Sequence, residues 1–128
     1  MLSQRALVAF LASTDLARSR AFYEDILGLR VVTQDDYACV FDADGTMLRV
    51  SAVEQVVGGG YTVLGWQVDD IETDVRTLAH AGVAFTRYEG MGQDPAGIWT
   101  TPGGDRVAWF CDPDGNTLSL TQYERSHA

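Results

Sequence analysis

The sequence predicts an α+β fold made of two copies of a βαβββ unit in one chain, and three observations carry that prediction. Two stretches match: Val40-Phe41-Asp42-Ala43-Asp44-Gly45-Thr46-Met47-Leu48-Arg49-Val50 and Phe110-Cys111-Asp112-Pro113-Asp114-Gly115-Asn116-Thr117-Leu118-Ser119-Leu120. Each sets Asp-x-Asp-Gly between strand-like segments, where the carboxylates cap turn amides and the glycine accepts a positive φ. Each half also begins with an apolar run that ends in a helix start, Ser13-Thr14-Asp15 in one and Asp69-Asp70-Ile71-Glu72 in the other. A glycine then closes each helical pattern, Gly28 and Gly82. The fixed order of these signals marks an internal repeat.

Residues 6–12 are a continuous apolar run of strand length. Leu16, Phe22, Tyr23, Ile26 and Leu27 follow on one side of a helix, with Arg18, Glu24 and Asp25 elsewhere. Residues 31–34 and 37–41 read as strands around the turn Asp35-Asp36, and 47–53 completes the first unit. Gly58-Gly59-Gly60 within 54–60 is a joint, since three glycines hold neither a helix nor a central strand. Residues 62–68 are a strand, and Asp69 or Asp70 caps the second helix with Glu72 expected to complete a capping box. Ile71, Val75, Leu78 and Ala79 form its buried stripe, and 84–88 is the next strand. The offset between the copies grows from about 55 at the first strand to about 70 at the hairpin, which places an insertion at 89–105. That segment reads as a long loop around Ile98-Trp99-Thr100-Thr101, and long loops in compact domains are often functional.

Composition narrows the function. The 128 residues make one domain with enough length for a core, and 46% hydrophobic residues exclude a disordered chain. Nine Lys and Arg against eighteen Asp and Glu give a net charge of −9, which repels phosphate backbones and anionic membranes, so no nucleic-acid or membrane partner is expected. The first residues lack a signal-peptide pattern, and no apolar run reaches membrane-spanning length, so a cytoplasmic location is expected. Cys39 and Cys111 fit reduced, half-buried strand thiols. His80 closes a helix and His127 lies in the tail, so no histidine is placed to activate either thiol.

At this point the chain resembles the vicinal oxygen chelate superfamily, the glyoxalase, bleomycin-resistance and extradiol dioxygenase group. The carrying residues are Thr14-Asp15-Leu16-Ala17-Arg18-Ser19 with Phe22-Tyr23 and Leu27-Gly28-Leu29, then Trp66-Gln67-Val68-Asp69-Asp70 with Ala81-Gly82-Val83. Ala108-Trp109-Phe110 with Asp112-Pro113-Asp114-Gly115-Asn116 completes the set. The resemblance implies two βαβββ modules, at about 4–53 and about 61–124, forming a curved mixed sheet around a cleft with helices on the convex side. It also implies pairing of chains, and the glycine joint would permit a module-swapped homodimer.

Enzymes of the group commonly hold a divalent metal through residues on the first and last strands of each module. Matched to this sequence, those positions are Val8, Arg49, Val63 and Ser119. Valine has no lone pair, arginine is a fixed cation, and a lone serine hydroxyl is a poor ligand. No metal and no cofactor are therefore expected, and metal-dependent glyoxalase or dioxygenase chemistry is disfavoured.

Strand alternation then places Val8 and Phe10, Arg49, Val63 and Gln67, and Ser119 toward the cleft, and Leu7, Leu11, Leu48, Val50, Leu64, Trp66, Leu118 and Leu120 toward the helices. Arg49 suits an anchor for an anion or polar group, with an ion pair to one of the many acids as its alternative role. Gln67 is an orienting amide or an ordinary surface amide. Trp99 in the insertion and Trp109 on the strand before the hairpin suit an aromatic wall, or core filling. The expected function is a metal-independent protein that binds an aromatic or amphipathic small molecule. The alternative is a metal-free lyase, isomerase or transferase of the same superfamily, acting through Arg49, Gln67 and hydroxyls.

Overall fold

A computed structural model describes residues 1–124. These form two compact units, residues 1–58 with 113–115, and 59–112 with 116–124. Each contains a four-stranded mixed sheet, so the α+β class and the repeated module are both present.

In the first unit the elements are β1 (Val8–Ser13), α1 (Leu16–Arg20), β2 (Arg30–Gln34), β3 (Ala38–Ala43) and β4 (Thr46–Ala52), and the sheet order is β1-β4-β3-β2. The β1–β4 pair is parallel and the others antiparallel. Asp15 caps α1 by accepting the Arg18 amide at 3.1 Å. The helical turn continues as a π-helical segment, Ala21–Ile26, and Gly28 follows at φ 78°. Tyr23, fully buried, packs its ring 5.6 Å from that of buried Phe41. The helical segment therefore covers the sheet face that carries Phe41, Leu48, Val50 and Leu11, all nearly buried. Leu7 breaks that pattern: it precedes β1 and is 74% exposed.

The second unit holds β5 (Thr62–Gln67), α2 (Ile71–His80), β6 (Trp99–Thr100), β7 (Arg106–Cys111) and β8 (Thr117–Gln122), in the order β5-β8-β7-β6. Asp70 caps α2, and the residue three positions on is Thr73 rather than Glu72: Asp70 accepts the Thr73 amide at 3.1 Å and its hydroxyl at 2.8 Å, both in the one direction, in place of the expected capping box with Glu72. These bonds hold the Asp70 carboxyl below the ordinary aspartate range. Glu72 is instead free to turn to Arg106, 2.7 Å away. Ile71 and Val75 are buried and Leu78 is half-buried, whereas Ala79, expected in the same stripe, is exposed; Gly82 ends the turn at φ 99°.

The expected strand at 84–88 is reduced to a single bridge, Phe85 to Phe110, plus the Thr86 amide on the Trp109 carbonyl at 2.7 Å. Trp99–Thr100, from the insertion, takes the sheet edge beside β7. Trp66, expected in the core, is half-buried on edge strand β5. Both cysteines are free; Cys39 is buried and Cys111 exposed, rather than both half-buried. Burial pushes the Cys39 thiol up, keeping it protonated. His127 lies outside the described residues. No helix among the described residues is long and apolar enough to cross a membrane.

Candidate functional site

The sequence-predicted residues fall into two groups, one in each unit. In the first, register places Val8 beside Met47, and Phe10 beside Arg49, which in turn faces Val40. Residues opposite one another in a ladder project to the same side, so Phe10, Arg49 and Val40 share the face away from Tyr23 and Phe41. Phe10 is 64% exposed, and Val8 and Met47 are also exposed. Arg49 is half-buried, and its guanidinium makes no hydrogen bond or ion pair among the described residues. Its positive charge reaches only as far as a minor lowering of the Asp35 carboxyl, which is held down mainly by the amides of Tyr37 and Ala38.

In the second unit the ladder is Gly65–Ser119–Trp109, followed by Gln67–Thr121–Val107–Trp99. This places Ser119, Gln67, Trp109 and Trp99 on one face, opposite to that of Phe110 and Leu118. Gly65 is required there: a Cβ would lie 2.5 Å from the Ser119 hydroxyl oxygen. A recess of about 250 Å³ opens at this point, lined by Gly65, Trp66, Gln67, Ser119, Thr121 and Tyr123. Trp99 and Trp109 stack beside it with centroids 6.0 Å apart and planes 28° from parallel. Tyr88 meets Trp109 edge-on at 5.3 Å, an aromatic contact the sequence did not signal because 84–88 looked like strand.

The β5–β8 register shifts between Thr62 and Leu64, so Thr62 stands beside Thr117 and Val63 is the extra residue of a bulge. Val63 is exposed, as are Gly65 and Gln67 further along β5.

The insertion that carries Trp99 is tied down by polar contacts. Gln93 accepts the Tyr88 amide at 2.6 Å and donates to the carbonyls of Thr86 and Gly97 at 2.9 and 2.8 Å. Asp94 accepts the amides of Ala96 and Ile98, both at 2.9 Å. Arg87 donates to the carbonyls of Asp94 and Gln93 at 2.8 and 3.1 Å. Trp99 therefore enters its stack from an ordered segment, a pre-organised wall.

One further cluster was not foreseen. Asp114 was expected to serve its own turn. That task falls to Asp112, which accepts the Asn116 amide at 2.9 Å. Asp114 belongs to the first unit, where its carboxylate, 2% exposed, accepts the Thr14 amide at 2.9 Å, the Thr14 hydroxyl at 2.7 Å and the Arg18 guanidinium at 3.0 Å. Ser19 lies 3.3 Å from its other oxygen. Burial raises the carboxyl pKa, but the hydrogen bonds of Thr14 and Ser13 and the Arg18 charge outweigh it, so the net shift is downward. Two motifs that carry the family resemblance are thus physical partners.

The profile of the Glyoxalase/Bleomycin resistance protein/Dioxygenase superfamily matches residues 5–120. The chain belongs to that superfamily. Among solved structures, a superfamily member from Sphaerobacter thermophilus is 24% identical, with a TM-score of 0.74, covering 96% of this chain and 100% of that one. TnmS3, an antibiotic-binding protein from a Streptomyces species, is 24% identical with a TM-score of 0.72, over 95% and 98% of the two chains. A lactoylglutathione lyase from Agrobacterium tumefaciens is 16% identical with a TM-score of 0.72, over 93% of each. These likenesses establish the shared fold. No curated protein matches the chain.

The divalent metal that the superfamily pattern implies does not fit the residues present. The positions expected from the sequence are Val8, Arg49, Val63 and Ser119, and the ladder neighbours on the same faces include Phe10, Met47 and Gly65. Among the described residues no three His, Cys, Asp or Glu side chains are grouped to hold an ion. A fixed guanidinium, aliphatic chains and hydroxyls form no set suited to a transition metal.

Proposed function

We propose that this chain is a metal-independent small-molecule-binding protein of the glyoxalase and bleomycin-resistance type, taking a planar aromatic or amphipathic ligand. The observation that carries the reading is the Trp99–Trp109 stack, set on the same sheet face as Ser119 and Gln67 beside the recess at Gly65. Flat rings supply apolar contact at little entropic cost, and a few convergent polar groups fix orientation, the usual composition of a ligand pocket. Gln67 and Ser119 would donate and accept at the ligand's polar edge. Separately, on the first module's own face, Arg49, whose guanidinium makes no hydrogen bond or ion pair among the described residues, would hold an acidic or carbonyl group. TnmS3, of the same fold, is an antibiotic-binding protein, which is in keeping with small-molecule binding.

The reading extends to a homodimer. Phe10, Val8 and Met47 expose apolar surface on one face of β1 and β4, which a second copy would withdraw from water. The two free thiols fit a reducing, cytoplasmic setting.

The test is tryptophan fluorescence of the chelator-treated protein against a panel of planar aromatic natural products. Saturable quenching by at least one, weakened about tenfold or more in Trp109→Ala, corresponding to about 1.4 kcal/mol, supports the reading. Failure of the whole panel, or binding that Trp109→Ala leaves intact, would sink it. Sedimentation of Phe10→Glu tests the dimer: the variant should be monomeric where the parent is not.

A further inference from the structure

We propose a second ligand site, the groove between α2 and residues 94–98, for a small monocarboxylate with an apolar body. The groove has a volume of about 480 Å³, in the range that holds small organic ligands. Its floor is apolar: Val75 and Ile98 are each 2% exposed, with Val83 and Phe85 beside them. Ala79 and Ala96, small and exposed, leave its walls open.

The charges at the groove are unequal in their commitments. Both lining acids are engaged: Glu72 pairs with Arg106 at 2.7 Å, and the Asp94 carboxylate receives the Ala96 and Ile98 amides. Neither lining guanidinium is ion-paired among the described residues. The Arg76 side chain makes no hydrogen bond there, and its charge acts only at longer range on Asp70 at the start of α2. Arg87 donates only to neutral carbonyls. In a chain of net charge −9, two guanidiniums without a carboxylate in contact, over an apolar floor, favour an anion with an apolar body. A carboxylate matches the planar fork of a guanidinium, and a ring or short chain would dry the floor; a bare inorganic anion would leave it wet. The groove lies on the face of the second sheet opposite the tryptophans, since Phe85 packs 5.5 Å from Phe110, whose side chain alternates with that of Trp109. The site therefore stands independently of the proposed function.

The experiment is a titration of ¹⁵N-labelled protein with 2-naphthoate, with 2-naphthalenemethanol as the uncharged match. We expect saturable amide shifts at Val75, Ala79, Ala96 and Ile98, and at least tenfold weaker binding of the alcohol. Arg76→Gln should weaken naphthoate about fivefold, and Ala79→Trp, which fills the groove from an exposed helix position, should abolish those shifts. Circular dichroism shows whether Ala79→Trp folds, and Ala96→Phe on the facing wall provides the same block if it does not. Absence of shifts at these amides, equal binding of acid and alcohol, or binding that survives the groove-filling variant would each overturn the proposal. Shifts confined to Trp99, Trp109 and their neighbours would do the same.

Discussion

In the first module β4 sets Arg49 between Phe10 and Val40, whereas in the second β8 sets Ser119 between Gly65 and Trp109. The covered faces of the two sheets remain close copies: Phe41 lies opposite Leu48 as Phe110 lies opposite Leu118, and all four are essentially buried. The open faces have diverged. One offers a cation among exposed apolar side chains, and the other offers stacked indoles, an amide and hydroxyls. A repeated fold thus keeps the positions that pack and varies those that face away, which is why superfamily membership alone leaves activity undecided.

The core side of this comparison predicts the largest effects. Phe41→Ala and Phe110→Ala should each cost about 3–5 kcal/mol, and by similar amounts, measured by urea denaturation. A large inequality would show that the halves are not equivalent in packing.

The two Asp-x-Asp-Gly turns separate more sharply. Asp114→Asn should destabilise by about 2 kcal/mol, because it removes a buried, multiply bonded carboxylate, while Asp44→Asn, at an exposed position with φ 49°, should be nearly neutral. The pH dependence follows from the direction of the shift. A carboxyl whose folded pKa lies below its unfolded one contributes in full above the ordinary aspartate value of about 3.9, and that contribution is lost as pH falls through the folded pKa. The stability gap between parent and Asp114→Asn should therefore be constant near neutrality and close only in acid. A gap that widens with acidification would contradict the assignment.

The Gly65 contact gives a smaller, reciprocal test. Gly65→Ala should cost about 1–3 kcal/mol through overpacking against the Ser119 hydroxyl, and Ser119→Ala should relieve part of it in a double-mutant cycle. Additive effects would mean that the two residues do not touch. The smallest effect is expected from Glu72→Gln, which breaks a largely exposed pair with Arg106 and should change stability by no more than about 1 kcal/mol.

Features written locally in the chain were legible in advance. The Asp44-Gly45 turn takes positive φ at both residues, the left-handed pair that a two-residue hairpin needs. Helix starts and glycine stops are likewise set by a few neighbouring residues. Alternation correctly separated buried Leu48, Val50 and Leu118 from exposed Val8, Phe10 and Met47. It failed at Leu7, which lies before β1 begins and is therefore outside the pleat that alternation describes. The strand expected at 84–88 had suitable residues, yet it keeps only the Phe85–Phe110 bridge to one end of β7 while Trp99–Thr100 pairs with the other, a tertiary outcome that propensity does not decide. Asp114 and Thr14 are a hundred residues apart, so the turn motif gave no hint of that contact. The clasp made by Gln93 was equally hidden, since a glutamine carries no positional signal of its own.

The central claim is that the tryptophan face binds an organic ligand without a metal and without turnover. The most direct measurement is calorimetric titration of the chelator-dialysed protein with the best ligand from the fluorescence panel, followed by mass spectrometry of the recovered ligand after long incubation. Saturable heat with the ligand recovered unchanged, and no gain on adding Ni²⁺, Zn²⁺, Fe²⁺ or Mn²⁺, is the predicted result. Binding that appears only when a metal is restored, or a ligand recovered as product, would contradict it.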